Sequence, residues 1–356
     1  MGSTNQKASA ESLPSLTPIP LDALSKLVAW FRRGNRVLPW REEPTLYRVW
    51  ISEIMLQQTQ VVTVVPYFER FIAEFPSVEH LARADSESVM KAWAGLGYYS
   101  RARNIHQGAK TIAQKGFPKT KEGWLEISGV GPYTAGAITS IALGLPEPIV
   151  DGNVERVFAR LRILRRSLGD APYKTSLWWL SGEAVATAHA AGLSPSDLNQ
   201  AWMELGATVC VPRKPQCGLC PISIDCEALK AGIAELLPEK KKRPEVKILE
   251  ESRVALVDVI REKVYLEQAR TGEWREGLWD FPKAGGEFVG VKRGDEIITK
   301  HVVTNHRITR ALEVRVVDSE SRAVRDYPGR WISMNDPEVG IGSAPKKGIA
   351  AIRAGS

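Results

Sequence analysis

Leu125-Glu-Ile-Ser-Gly-Val-Gly-Pro-Tyr-Thr-Ala-Gly-Ala137 is the stretch on which the fold turns. A helical pattern ends in Gly129-Val-Gly131, and Pro132 opens a second one. Proline suits a first helical position, because the N–H it lacks would have no partner there. The two glycines let backbone approach closely. Exposed amides at the start of the second helix can hold a phosphate. The reading is a helix–hairpin–helix; the alternative for these residues alone is an ordinary turn between helices.

Around this hairpin, residues 19–230 read as mostly helical. Apolar positions recur at three- and four-residue spacing in Leu21–Phe31, Tyr47–Val65, Val89–Ala94 and Ala135–Leu143. Asp85 before Ser86-Glu87-Ser88 looks like an N-cap with acidic first-turn chemistry. Glycine breaks at Gly95–Gly97, Gly129–Gly131 and Gly152 separate the helices. After about residue 250 the period changes. Arg253–Ile260, Lys263–Glu267 and Leu312–Val317 are rich in β-branched residues and read as strands. No internal repeat is visible. The expectation is a multidomain chain: a disordered tail over 1–18, an all-α domain over 19–235, a basic linker over 236–250 and an α+β domain over 251–356. The linker's Lys240-Lys-Lys-Arg243 could track phosphates or simply be a solvated charge run.

The chain has 356 residues, and at roughly 100–200 per domain two or three domains fit. Hydrophobic residues make up 44% and charged residues 25%, which excludes wholesale disorder or a fibre. No apolar run approaches the roughly 18 residues of a membrane span. No export signal is visible at the N-terminus, so an intracellular protein with no membrane partner is expected. The net charge of +7 suits a polyanion such as DNA or RNA.

Cys210, Cys217, Cys220 and Cys226 are the only cysteines, spaced C-x6-C-x2-C-x5-C. Disulfides would be scattered along the chain, whereas four clustered thiolates suit one metal centre. Zinc and an iron–sulfur cluster both take four cysteines, and the spacing alone does not separate them.

Two carboxylates stand out. Glu53 lies in the otherwise apolar helical run Ser52-Glu-Ile-Met-Leu-Gln-Gln-Thr-Gln60. A buried Glu is uncommon unless paired or functional, and burial would raise its pKa enough to make it a proton donor near neutrality. Asp151, in Val150-Asp-Gly-Asn-Val-Glu-Arg156, would sit at a helix start, where an N-cap is the plain reading.

Hairpin, aspartate and cysteines, in that order and spacing, resemble the helix–hairpin–helix DNA glycosylases that carry an iron–sulfur cluster. Within them the chain resembles the MutY family of adenine DNA glycosylases. Leu38-Pro-Trp-Arg41, Glu53–Val61, Gly95-Leu-Gly-Tyr-Tyr-Ser-Arg-Ala-Arg103, Gly129–Thr134 and Val150–Asn153 carry the resemblance, which spans roughly residues 20–230. It implies a [4Fe-4S] cluster on the four cysteines. It makes Glu53 the acid that protonates adenine at N7 and then positions or activates water, and Asp151 the stabiliser of a sugar oxocarbenium ion. Tyr133 and Asn153 would complete the catalytic group. Trp40, Arg41 and Gln200 would surround the adenine, and Gln58 and Tyr98 would wedge into the base stack. Gly129, Gly131, Arg213 and Lys214 would meet the DNA backbone. Tyr133 stands where relatives similar to endonuclease III carry a nucleophilic lysine. A phenol cannot form the Schiff base, so a monofunctional hydrolase is implied.

The strand-rich domain resembles the family's Nudix-like domain through Gly277-Leu-Trp-Asp-Phe-Pro282 and Gly285-Gly-Glu287. No R-E-x-x-E-E segment follows Glu287, so no pyrophosphatase activity is expected, and the domain looks shortened. The family's Phe-Ser-His lesion reader is matched here by Thr304-Asn305-His306. The resemblance therefore implies a monomeric base-excision repair enzyme of the bacterial cytoplasm, associated with the nucleoid. Its partner would be double-stranded DNA bearing adenine opposite 8-oxoguanine or guanine. Broader mismatch specificity (A:C or G:T), or DNA binding without catalysis, are the competing readings.

Overall fold

A computed structural model describes residues 16–239, 245–270, 273, 276–303, 305–320, 327–335 and 339–354. Nearly all of the expected tail, the Lys240–Arg243 run and Thr304 fall outside them. Contacts group the chain into two compact units: Met1–Glu53 with Phe117–Lys241, and Ile54–Gly116 with Lys242–Ser356.

The first unit is helical. Its main elements are Leu21–Gly34, Pro132–Leu143, Gly152–Leu161, Asp170–Ala190 and Pro195–Thr208. Helix Gly152–Leu161 buries Val154, Val157, Phe158 and Leu161, the i, i+3, i+4, i+7 stripe of an amphipathic helix. That face packs with Leu24, Leu27, Phe31, Leu177, Trp202 and Leu205 in one core. Phe158 and Trp202 meet edge-on with centroids 5.0 Å apart. The helices Gly152–Leu161 and Pro195–Thr208 approach closely at Gly206, where a Cβ would come within 2.6 Å of Asn153 Cβ. The hairpin forms as read. Helix Lys121–Leu125 leads into Gly129 at φ 78°, a conformation that favours glycine, and Pro132 opens the next helix.

The second unit combines helices Val61–Glu74, Val78–Arg83, Ser86–Ala92 and Ser100–Lys115 with a sheet. Asp85 caps Ser86–Ala92 by accepting from the Ser88 amide at 2.8 Å. The apolar run Tyr47–Val65 is not one helix. It divides into Leu46–Leu56 and Val61–Glu74, because Gln58 takes a left-handed backbone (φ 59°) that no right-handed helix can pass through.

The sheet is mixed, in the order β3-β2-β1-β6-β4, with β5 added on β6 and β7 on β2. The strands are β1 (Lys247–Asp258), β2 (Lys263–Gln268), β3 (Trp279–Asp280), β4 (Val291–Lys292), β5 (Ile297–Val303), β6 (His306–Val316) and β7 (Arg330–Ser333). β1 and β6 run parallel from Lys247↔His306 to Val257↔Val316, and β5 and β6 form a hairpin pairing Val303 with His306. β1 begins at Lys247, inside the stretch read from sequence as linker. Helix Ser343–Ala354 buries Ile349 and Ile352 with Leu266 and Leu312 of the sheet and with Phe281, the residue after β3. No helix occurs over residues 287–296. At the sheet's centre the guanidinium of Arg310 is fully buried, bridging Asp280 (2.8 Å to each carboxylate oxygen) and Glu251 (2.8 Å).

Candidate active site

Three side chains singled out in the sequence converge in the first unit. Glu53 projects from helix Leu46–Leu56 and is 4% exposed. Tyr133, one residue into the helix after the hairpin, donates its hydroxyl to Glu53 Oε2 at 2.8 Å. Asp151 caps helix Gly152–Leu161. Its Oδ1 accepts from the amides of Asn153 (2.9 Å) and Val154 (2.7 Å), and its Oδ2 from Asn153 Nδ2 (2.9 Å). The plain N-cap reading is thus correct for Asp151, and the cap is also what fixes its carboxylate.

Burial dominates the electrostatics. It pushes the Glu53 carboxyl up to about 7, opposed by the Tyr133 hydrogen bond, assisted by the nearby Asp151 charge and opposed by Arg41. Glu53 is therefore partly protonated at neutral pH. Burial also holds Asp151 above its usual value, opposed in part by the Val154 and Asn153 amides, the Asn153 side chain and Arg156. Tyr133 is raised well above the usual phenol range, first by burial and then by the two carboxylates, and stays a neutral donor. The two carboxylates thus have different environments: Glu53 accepts from Tyr133 alone, while Asp151 is ringed by donors. That is the arrangement that separates an acid from an anion.

Arg41 borders this group. It donates to Glu204 Oε2 at 2.9 Å and to the Arg36 carbonyl at 3.1 Å, and lies over the Phe31 ring. Glu204 also receives the fork of Arg36, at 2.6 and 2.9 Å. Burial would raise Glu204, but the two guanidiniums outweigh it and hold it below its usual range. Glu204 and Arg36 were not singled out in the sequence. The signal was present: Ala201-Trp-Met-Glu-Leu-Gly206 is an apolar run interrupted by one Glu, as at Glu53. Trp40 is buried beside Arg41 in the short helix Pro39–Glu42. Gln200 lies one turn before Met203 and Glu204, its amide donating to Ser196 at 3.1 Å.

Behind Asp151, Asn153 Oδ1 accepts from Arg156 Nη2 at 2.9 Å, and Arg156 continues to the carbonyls of Gly206 (2.6 Å) and Cys210 (2.7 Å). The cysteine loop is thereby tied to the helix that carries Asp151. Cys210, Cys217, Cys220 and Cys226 all line one cavity of about 30 Å³, with Arg160 donating to Cys210 Sγ at 3.2 Å. Burial pushes the Cys220 thiol up to about 12. Among the described residues no three His, Cys, Asp or Glu side chains are placed to hold a single metal ion. Arg213 and Lys214 are exposed on the same loop.

Gln58 and Tyr98 belong to the second unit, on two loops of left-handed backbone (φ 59° and 48°), and both side chains are exposed. Asn305 sits at the tip of the β5–β6 hairpin, its Nδ2 donating to the Glu245 carbonyl at 3.0 Å, and His306 is the first residue of β6.

A family model described as HhH-GPD superfamily base excision DNA repair protein matches residues 51–179. Human adenine DNA glycosylase is 42% identical over 214 residues, 57% of this chain and 38% of that protein. Adenine DNA glycosylase of Buchnera aphidicola subsp. Schizaphis graminum is 36% identical over 260 residues, 72% of this chain and 73% of that protein. A solved thermostable thymine-DNA glycosylase superposes with a TM-score of 0.50 and 25% identity, covering 58% of this chain and 95% of the other. The chain spans less than half the length of the mammalian relatives it matches. Taken with the hairpin and the carboxylates it positions, these likenesses establish that the chain belongs to the adenine DNA glycosylase family.

Proposed function

We propose that the chain is a monofunctional adenine DNA glycosylase of base-excision repair, which hydrolyses the N-glycosidic bond of adenine mispaired with 8-oxoguanine or guanine. The observation that carries this reading is the asymmetric pair Glu53 and Asp151, with Tyr133 between hairpin and acid. Adenine is a poor leaving group, so its departure needs protonation. A carboxyl poised near pH 7 supplies that proton without strong acid. The target base is flipped into the pocket first. Glu53 then protonates adenine at N7 as the C–N bond lengthens, and Asp151 stabilises the positive charge left on the sugar. Glu53, now a carboxylate, takes a proton from the attacking water and is restored. Tyr133 holds Glu53 in place, and the Arg36–Glu204–Arg41 group fixes the pocket wall beside Trp40 and Gln200. Tyr133 has no nucleophilic amine, so the sugar–phosphate strand stays intact.

DNA is held by the hairpin amides around Gly129 and Gly131 and by Arg213 and Lys214, with Gln58 and Tyr98 wedged into the opened stack. The strand-rich part, by its resemblance to a Nudix-like domain, reads the opposing base through the segment Thr304-Asn305-His306. The four cysteines suit a [4Fe-4S] cluster. They line a single cavity, and it is the family resemblance, not the spacing, that favours iron over zinc. Bound there, the cluster would brace the loop that ties Arg156 to Asn153. Protein prepared anaerobically should be brown with about four irons per chain; stoichiometric zinc would refute that assignment.

Single-turnover excision on duplexes with A:8-oxoguanine, A:G, A:C and G:T pairs tests the function. The expected result is adenine release, fastest from the first two, with no strand break until alkali or heat is applied. Thymine release from G:T, or borohydride trapping of a covalent intermediate in high yield, would overturn it.

A further inference from the structure

One buried cation has no role in the chemistry above. Arg101, in the first turn of helix Ser100–Lys115, is 6% exposed and has no carboxylate partner among the described residues. Buried guanidiniums normally face carboxylates, because an unpaired buried charge is costly. This one is instead held by backbone. Its Nη1 reaches the carbonyls of Ile54 (3.1 Å), Met55 (2.8 Å) and Gln57 (2.5 Å). Its Nη2 reaches Thr59 Oγ1 (3.1 Å) and the carbonyls of Leu96 (3.3 Å) and Gly97 (3.2 Å). The planar group also lies 5.4 Å from the Trp93 ring centroid and 5.2 Å from that of Tyr98.

These contacts fall into two sets. Ile54, Met55 and Gln57 offer carbonyls left unsatisfied where helix Leu46–Leu56 stops; the guanidinium caps that end. Leu96 and Gly97 belong to the Gly95–Tyr98 turn, where Gly95 (φ 103°), Gly97 (φ 76°) and Tyr98 (φ 48°) are all left-handed. Each set lies against one exposed side chain on left-handed backbone, Gln58 on the first loop and Tyr98 on the second. L side chains rarely adopt that conformation, so it persists only where the surroundings over-determine it. One rigid fork, with donors fixed in a plane, over-determines both loops together.

We infer that Arg101 is a positioning residue that sets the two wedge side chains, Gln58 and Tyr98, at a fixed separation, so that they enter the base stack as a unit. This rests on the wedge role proposed above. A lysine could keep the charge, but its single ammonium cannot span both loops. What the buried arginine supplies is pre-organised insertion instead of loops that must order on DNA.

A mutant cycle tests this. Gln58→Ala with Tyr98→Ala should slow single-turnover adenine excision from duplex on the order of 100-fold, since it forfeits the offset to unstacking. Arg101→Lys and Arg101→Met should each slow excision in the wild-type background, Met more than Lys. In the Gln58→Ala/Tyr98→Ala background they should add less than about threefold, because their target is already gone. Fluorescence of 2-aminopurine beside the target should report lost unstacking in the same order. Equal losses in both backgrounds would mean that Arg101 only supports the fold, and would overturn the inference while leaving the wedge reading intact. A silent Gln58→Ala/Tyr98→Ala variant would overturn the wedge reading itself, and this inference with it. Should the Arg101 variants fold poorly, Thr59→Val, which deletes one contact of the fork, takes their place in the cycle with an expected loss of a few fold. Additivity there would again overturn the inference.

Discussion

The pocket around Glu53 and the tip of the β5–β6 hairpin, the two regions to which the proposal assigns catalysis and opposing-base reading, are built differently. In the pocket, side chains from separate helices meet in a dry interior, and each charge has a named partner: Tyr133 on Glu53, Asn153 on Asp151, Arg36 and Arg41 on Glu204. At the hairpin tip, backbone dominates. Asn305 accepts from the Lys247 amide at 2.8 Å through its carbonyl, and its amide side chain also bonds backbone, at Glu245. A pocket of mutually dependent side chains tolerates little substitution. A tip held by main chain can exchange residues and keep its path. The consequence is a steep gradient of mutational effects between the two regions.

The steepest effect belongs to Glu53. Glu53→Gln keeps shape but has no proton to give, and excision should fall by about 10²–10⁴-fold while DNA binding persists. In the wild type, single-turnover excision should fall about tenfold per pH unit above ~7, since only the protonated carboxyl is active. The same shift has a stability consequence of opposite usefulness. The folded state favours the neutral acid, so its stabilising effect is complete below the unfolded value of 4.5 and is lost as pH rises through about 7. Above pH 7, Glu53→Gln should therefore be the more stable protein, by on the order of 3 kcal/mol. Chemical denaturation at pH 4 and pH 8 checks this. A variant no more stable at pH 8 than wild type would show that Glu53 is not held in a charge-averse site.

Asp151→Asn comes next. Asparagine is as good an N-cap as aspartate, so the helix Gly152–Leu161 should survive and the melting temperature should change little. Excision should fall by roughly 10²–10³-fold through the lost negative charge. A large fall in melting temperature would mean that the carboxylate serves folding more than catalysis. Glu204→Leu should do the reverse of Asp151→Asn. It strands Arg41 and Arg36 beside the pocket and should cost about 3–5 kcal/mol of stability, as breaking a buried ion pair does.

Much of the pocket was legible in sequence, for a physical reason. A carboxylate in an apolar helical run, as at Glu53, announces itself because burial without function is costly. Asp151 before a helix, and four cysteines within one loop, carry similar local signals. The Gly-Val-Gly-Pro turn was legible because left-handed backbone and an opening proline restrict residue choice. Other features left no local trace. Tyr47–Val65 reads as one amphipathic helix, and the contacts that hold its left-handed break at Gln58, the carbonyls taken by Arg101, come from forty or more residues on. Glu204 carried the same signal as Glu53, but its partners Arg36 and Arg41 lie more than 160 residues away. The start of β1 at Lys247 was hidden because Lys-Ile-Leu-Glu is exposed throughout, and its strand character comes from pairing with His306–Thr309.

The smallest effect is expected in the sequence segment Thr304-Asn305-His306, which stands where the family carries Phe-Ser-His. Losing a base–aromatic contact costs about 1–3 kcal/mol, or roughly 5- to 150-fold in discrimination. The preference for A:8-oxoguanine over A:G should accordingly be smaller than that of a relative carrying the aromatic. His306 begins β6 opposite Val303 and Lys247, and this pairing needs only its main chain. His306→Ala keeps that pairing and should narrow the remaining preference by about fivefold, the value of one hydrogen bond. Asn305→Ala removes the amide bond to Glu245 as well, so it should lower stability by about 0.5–1.5 kcal/mol and narrow the preference too. The two variants separate reading from stapling: a tip that only staples responds to Asn305→Ala in the melt and to neither in specificity. Rates on the two duplexes, measured beside thermal unfolding of the same preparations, decide it. If neither variant moves the ratio, the opposing base is read by another part of the strand-rich unit, and the contrast between a specified pocket and a permissive tip loses its functional half.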